Sequence, residues 1–399
     1  MKMWNKNFIL LLQGQAVSSL GDALYAVIVG LWVYEVTGSA KIMSVVFAAA
    51  SITRLIFFPF AGYIVDRYNR RNIVIFCDAI RGVLMLLIGF YTLLFPTSGV
   101  WFLILYSIIS ALCSSVFNPS ANTLLLSAVS RDNFVRANSL YYMSNYVVNI
   151  IGQGIAGVIF VIFGAPVMFI IDGITFLLSA FSELFISKDI SVVKNTERVK
   201  FTESAMAGIQ YILKNRGLLY CITEAFIINF AFGAVRVLLV PWLSSYGEEY
   251  YGIYCAFQSV GTLIGTGILS MVNIQSQYRH KVYFSSQIAR VTLMALAAIM
   301  TPFPLIVLFA CMGYSTQYIY NSLQSSMVTI AIPDELRGKV LCAIQAIAMA
   351  CSPLGNLAAG FLGDVFSPRK IIIALMALCL VVILGISSKK EVRMLLTGE

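Results

Sequence analysis

Gly62-Tyr63-Ile64-Val65-Asp66-Arg67-Tyr68-Asn69-Arg70-Arg71 sits between two long apolar runs, 42–64 and 73–95. One acid and three arginines crowd into residues 66–71, in a chain of which only 11% is charged. Arginine is expensive in hydrocarbon, so this segment marks a loop at a membrane surface. Three arginines between closely spaced spans also favour the cytoplasmic side. An ordinary positively charged loop accounts for the arginines. It accounts for neither Asp66 nor Gly62, one turn earlier.

The rest of the chain has the same character. Its 399 residues are 59% hydrophobic, with a mean hydropathy of +0.87. Soluble domains are closer to half apolar, with about a quarter of their residues charged. The composition therefore describes a polytopic membrane protein. The net charge of +9 does not point to nucleic acid, because the basic residues fall in short loops where topology explains them. Eight cysteines are scattered through apolar runs without a CxxC pair or metal-ligand spacing, as small apolar fillers are. Lys2 and Lys6 precede an apolar run too long for a signal peptide, so that run is expected to be a retained first span.

A helix needs roughly 20 apolar residues to cross a bilayer. Twelve stretches qualify, at about 7–34, 41–64, 73–95, 100–127, 139–163, 165–187, 217–243, 250–272, 282–301, 303–330, 339–363 and 370–388. With both termini cytoplasmic, 20 of the 27 basic residues fall in cytoplasmic segments, and only Lys41, Arg369 and Lys370 fall outside. That asymmetry predicts the orientation. The longest loop, 188–216, divides the chain into an amino-terminal bundle, 1–187, and a carboxy-terminal bundle, 217–399. Within it Phe201, Ala205, Ile209, Ile212 and Leu213 recur at helical spacing, which predicts a short helix on the cytoplasmic surface.

The two halves repeat. Asp78-Ala79-Ile80-Arg81 is matched by Gln287-Ile288-Ala289-Arg290, and Arg70-Arg71-Asn72-Ile73 by Arg279-His280-Lys281-Val282, both at an offset of 209. Gly152 and Gly157 are echoed by Gly355 and Gly360 at 203. Six spans in each half make the repeat a parallel one. Met271 and Gln275 stand where a second Gly62 and Asp66 would be, so the first copy of the loop is the working one.

An ionisable residue at mid-membrane depth is a functional candidate. Asp22 in span 1 and Arg54 in span 2 lie at that depth and could pair across the helices. A carboxyl group drawn partly out of water binds a proton more readily, which makes these two the candidates for proton coupling, beside a purely structural pairing. Asp172, Glu224 and Arg236, with Tyr142, Tyr146 and Tyr318, are candidates to line a cavity for an amphipathic ligand. Glu183, near the end of span 6, is expected to snorkel to the interface. Asp78 and Arg81, three apart on one helical face, are expected to form a structural pair behind the 66–71 loop. Among catalytic and cofactor patterns there is no Walker A sequence, no Gly-x-Ser-x-Gly and no paired metal ligands, and the single histidine is His280. No cofactor or metal site is expected, and a polytopic membrane enzyme is a remote alternative.

The pattern Gly-x-x-x-Asp-Arg-x-x-Arg-Arg resembles the loop between helices 2 and 3 of the major facilitator superfamily of transporters. The resemblance carries over to Gly62, Asp66, Arg67, Arg70 and Arg71 position by position. It implies a gating latch in which Asp66 serves a helix N-terminus of the other half. Ser19-Leu20-Gly21-Asp22-Ala23-Leu24, Asn118-Pro119-Ser120 and Arg136-Ala137-Asn138-Ser139 resemble the macrolide-efflux-like branch, which also contains siderophore exporters. The fold so implied is all-α, with twelve transmembrane helices in two pseudo-symmetric six-helix bundles. The function so implied is secondary active efflux of amphipathic small molecules, macrolide or multidrug-like, in exchange for protons. Such a protein would be a monomeric antiporter of the cell membrane with a role in antibiotic resistance. The same fold would serve export of an endogenous siderophore or peptide, or movement of lysolipid. The span 5 glycine–proline pair of superfamily antiporters is replaced here by Gly152-Gln153.

Overall fold

The computed structural model describes residues 3–96, 98–187, 209–272, 274–332 and 334–397. Within these residues the chain is a succession of helices: α1 (Lys6–Thr37), α2 (Ala40–Arg67), α3 (Arg70–Leu94), α4 (Val100–Ala128), α5 (Arg131–Glu183), α6 (Arg216–Ser244), α7 (Glu248–Met271), α8 (Ser276–Ile299), α9 (Phe303–Ala331), α10 (Asp334–Gly363), α11 (Pro368–Ser387) and α12 (Lys390–Thr397). Eleven of them are long and apolar enough to cross a membrane.

One of the eleven makes two crossings. Helix α5 runs for 53 residues, about 80 Å at 1.5 Å per residue against about 30 Å of hydrocarbon. It breaks at Gly164, where φ is 73° and ψ 168°, and Pro166 follows. Only glycine enters that region without strain from a Cβ. The expected spans 139–163 and 165–187 are thus two arms of one bent element, and twelve crossings result.

Local signals set the other boundaries. Asn5 caps α1 by accepting from the Phe8 N–H at 3.0 Å. Gly38, at φ 63°, ends α1 by donating its N–H to the Tyr34 carbonyl at 2.7 Å. Ser39 then caps α2. Asn69 of the opening motif caps α3, accepting from the Asn72 N–H at 3.2 Å. A side-chain acceptor at each start satisfies backbone donors that the helix leaves over.

Contacts group the chain into two compact units, Met1–Glu197 with Leu243–Ala256, and Arg198–Trp242 with Phe257–Glu399. The division falls in the 188–216 segment, and the first unit also takes in a stretch around the start of α7. Of the surface helix expected in that segment, 201–208 lies outside the described residues, while 209–214 is helical with Ile212 buried and Leu213 exposed.

In the first unit α1 and α3 lie against α5, and α4 lies against α2 and α3. Small residues let the backbones approach. A Cβ at Gly82 would come within 2.9 Å of the Gly173 carbonyl, and one at Gly173 within 2.9 Å of the Gly82 carbonyl. Gly152 packs on Leu20 and Ala23 of α1. In the second unit the equivalent Gly355 packs on Phe230 and Ala234 of α6, and Gly261 and Gly265 of α7 meet the carbonyls of Cys311 and Ser315 on α9. The repeat read from the sequence is thus also a repeat of helix crossings.

Candidate functional site

The crossing of α1, α3 and the second arm of α5 gathers the ionisable residues of the first unit. Arg81 is 2% exposed. It donates a hydrogen bond to Asp78, one turn back on α3. Its other terminal nitrogen lies 3.6 Å from Asp22 Oδ1. The guanidinium plane is held between rings, 4.2 Å from the centroid of Phe176 and 5.1 Å from that of Phe117. Arg54 is close enough to act on Asp22 electrostatically, so Asp22 answers two arginines rather than the single one expected from the sequence. Asp78 and Arg81 form the pair expected of them, and Arg81 also links that pair to Asp22.

The three carboxyl groups near Arg81 differ in surroundings. The Asp22 side chain is 51% exposed, and Asp78 is fully buried. Asp172 is also fully buried, and neither of its carboxyl oxygens has a hydrogen-bond partner. Gly21 explains how Asp172 fits, since any Cβ there would overlap its carboxyl group and the Thr175 hydroxyl. Glu183 does not snorkel as expected. It is 2% exposed, faces Gly14 of α1, and one of its carboxyl oxygens has no partner. The cause lies on α1, where Gly14 leaves room for the Glu183 side chain and for Ser179, whose hydroxyl donates to the Gly14 carbonyl at 3.0 Å. Next to them Gln15 accepts from the Tyr141 hydroxyl and donates to Ser19 Oγ at 2.8 Å. These neutral partners carry no signal in the sequence beyond being polar residues in apolar runs.

The second unit has a smaller polar centre. Glu224 is fully buried and accepts from the Tyr283 hydroxyl at 3.0 Å and from Gln287 Nε2 at 3.3 Å. The ring of Tyr320 lies 5.0 Å from that of Tyr283. Arg290, the counterpart of Arg81, is 4% exposed and sits 3.5 Å from the Phe232 ring centroid. Among the described residues no carboxylate pairs with it. Where the first unit has Asp78 the second has Gln287, and Arg290 keeps its aromatic contact without a carboxylate among the described residues.

The residues expected to line a cavity separate into two groups. Asp172 and Glu224 are enclosed between helices, whereas Arg236, Tyr142 and Tyr146 are exposed and Tyr318 is half-buried. Tyr142 reaches Asn122 Oδ1 at 3.4 Å.

The 66–71 loop is tied to its own unit by Arg71. That residue is 9% exposed and donates to the Ile186 carbonyl at 2.8 Å and to the Leu184 carbonyl. A cation at the last carbonyls of a helix satisfies both their acceptors and the dipole. Ser187 N–H donates to Asn7 Oδ1 at 3.0 Å, and the Asn5 amide to the Ala128 carbonyl at 2.7 Å. The ends of α1, α3, α4 and α5 are thus joined at the loop. Arg67 is exposed, hydrogen-bonded to the Tyr63 hydroxyl and 5.6 Å from its ring centroid. Asp66 is exposed as well. A Cβ at Gly62 meets nothing within 4 Å among the described residues, so packing does not explain that glycine.

Comparison with known proteins gives one consistent answer. The family model described as Major Facilitator Superfamily matches residues 11–355. YfiS, an MFS-type transporter of Bacillus subtilis, is 25% identical over 376 residues, covering 90% of this chain and 87% of that protein. Macrolide efflux protein A of Streptococcus pyogenes is 20% identical over 383 residues, 90% of each chain. The putative bacilysin exporter BacE of Bacillus subtilis is 29% identical over 272 residues, 68% of this chain and 64% of that protein. Among solved structures, the nucleoside transporter NupG superposes with a TM-score of 0.74 at 14% identity, covering 94% of this chain and 98% of the other. At that identity the likeness concerns the fold alone.

Proposed function

The chain belongs to the Major Facilitator Superfamily, and on that premise we propose that it is an efflux antiporter, expelling amphipathic small molecules from the cell in exchange for protons by alternating access. The family makes it a membrane transporter of small molecules. Relatives named for macrolide efflux and bacilysin export support the direction and the kind of cargo. The proposed orientation has both termini cytoplasmic, as the positions of the basic residues favour.

The observation that carries the proton coupling is Arg81 held between two carboxyl groups of unequal exposure. Asp78 is sealed, while Asp22 is half open to its surroundings. A proton arriving at Asp22 removes one of the two charges holding the guanidinium, and Arg81 is then bound by Asp78 alone. A proton leaving Asp22 restores the bridge between α1 and α3. Two arrangements of one buried cation give a two-state element that proton binding biases. The aromatic sandwich of Phe117 and Phe176 keeps Arg81 in place in either state. The exposed Tyr142 and Tyr146 of the first unit are proposed to meet the cargo.

Uptake by energised inside-out vesicles tests the reading, with a panel of macrolides and cationic dyes and with nigericin to collapse the pH gradient. Accumulation abolished by nigericin and lost in Asp22→Asn, in protein that inserts normally, is the expected result. Accumulation that persists in Asp22→Asn removes that residue from the coupling. A second reading, export of a small peptide, is favoured by the likeness to BacE. It predicts that peptides accumulate in the same vesicles while macrolides do not.

A further inference from the structure

Away from the charged network, α2, α3 and α4 enclose a cleft of about 540 Å³ at the end of the first unit that carries the 66–71 loop. Its walls are apolar, with Phe57 and Ile64 on α2, Phe76 on α3 and Val116 on α4. Its mouth is polar, formed by Tyr68, Asn69 and Asn72. Cys77 and Cys113, both buried, also line it. Tyr68 and Phe76 are 56% and 65% exposed, so the cleft opens outward along α3.

Walls of this kind do not hold water, which needs several polar partners. In a bilayer the neighbouring hydrocarbon fills them, and the volume is that of a single acyl chain. The mouth adds a preference of sign. Residues 66–71 carry three arginines and one acid, a net charge of +2. The N-terminus of the 25-residue α3 opens there too, with no acid in its first turn. Both features attract negative charge. Arg67, stacked on Tyr63, stays at the surface where a headgroup lies.

We propose that this cleft is a binding site for one acyl chain of an anionic phospholipid, whose headgroup phosphate is received by Asn69, Asn72 and Arg67. The acyl chain of a zwitterionic lipid fits the slot, but its headgroup gains little at the mouth, so at equal mole fraction it occupies the slot less. Two net positive charges at a membrane surface correspond to a preference of about tenfold after screening. The bound lipid spans the junction of α2 and α3, so lipid composition acts directly on the 66–71 loop.

The two cysteines report on occupancy in the full-length protein in detergent. N-ethylmaleimide alkylation of Cys77 and Cys113 is followed by peptide mass spectrometry, with the buried Cys379 of the second unit as reference. Dioleoyl phosphatidylglycerol is expected to slow alkylation about tenfold relative to the same mole fraction of dioleoyl phosphatidylcholine, and glycerol phosphate is expected to have no effect. Equal protection by both lipids, or protection by glycerol phosphate, overturns the proposal. Native mass spectrometry gives an independent reading. The wild type is expected to retain one phosphatidylglycerol that is lost in Val116→Trp, which fills the cleft, and weakened in Arg67→Gln. If the thiols do not react under any condition, this second reading decides. No retained lipid, or a lipid still held by Val116→Trp, overturns the proposal.

Discussion

Replacing Arg81 with glutamine takes the cation away from two carboxyl groups at once. Asp78 is fully buried beside it, and Asp22 lies 3.6 Å away. Removing one member of a buried pair costs about 3–5 kcal/mol, because the charge left behind is stranded. The half-exposed Asp22 adds little, since it keeps the field of Arg54. The guanidinium contacts to Phe176 and Phe117 contribute about 1 kcal/mol more. A loss of this size lowers the melting temperature by on the order of 10 °C. Asp78→Asn/Arg81→Gln should recover most of it, because the two amides hydrogen-bond without a stranded charge. The second unit already holds an uncharged residue at that place, with Gln287 one turn from Arg290. The assay is thermal unfolding in detergent with a thiol-reactive dye, which reads the buried Cys77, Cys113, Cys221, Cys351 and Cys379 as they emerge. A double variant that melts as low as Arg81→Gln refutes the reasoning and assigns the stability to the aromatic sandwich instead.

The same assay tests two glycines of opposite surroundings. Gly82→Ala forces a Cβ onto Leu177 and the Gly173 carbonyl and should cost about 1–3 kcal/mol, whereas Gly385→Ala meets nothing within 4 Å among the described residues and should leave the melting temperature unchanged or raise it. Gly164→Ala places a Cβ at φ 73° and should cost about 1–2 kcal/mol, seen as a lower melting temperature; an unchanged melt would show that the bend relaxes. Asp66→Asn should lower the initial rate of vesicle uptake while expression and melting stay at wild-type levels, and an unchanged rate counts against a latch at that residue.

Much of this was legible before any coordinates, because a bilayer imposes its own length on a helix. The twelve apolar stretches appear as helices, and the six-plus-six repeat appears as repeated crossings, with Gly152 and Gly355 in matching places. What escaped reading depends on which side of a helix faces which neighbour. Glu183 has the depth of an interface charge, yet Gly14 on another helix leaves room for it inside. Asp22 could be assigned a depth and Arg54 as a partner, but Arg81 joins it only because α1 and α3 cross. Arg71 reads as one of three loop arginines, and only the meeting of α3 with the end of α5 shows it holding two carbonyls. Gly164 marks a boundary between two apolar stretches, but the absence of any loop there follows from one backbone angle.

That bend has a practical consequence for handling the protein. At the end of the first unit away from the 66–71 loop, α1 passes to α2 through Gly38 and Ser39 alone, and the arms of α5 meet at Gly164. A protease needs several extended residues to seat in its cleft, and an antibody loop needs a protruding peptide to grip. Neither is offered at these two connections, and at that end the segment from Phe95 to Gly99 between α3 and α4 is the longer one. Epitope tags, cleavage sites and fluorescent insertions at either of the two connections would part packed helix ends, and a binder raised against them must recognise those ends themselves.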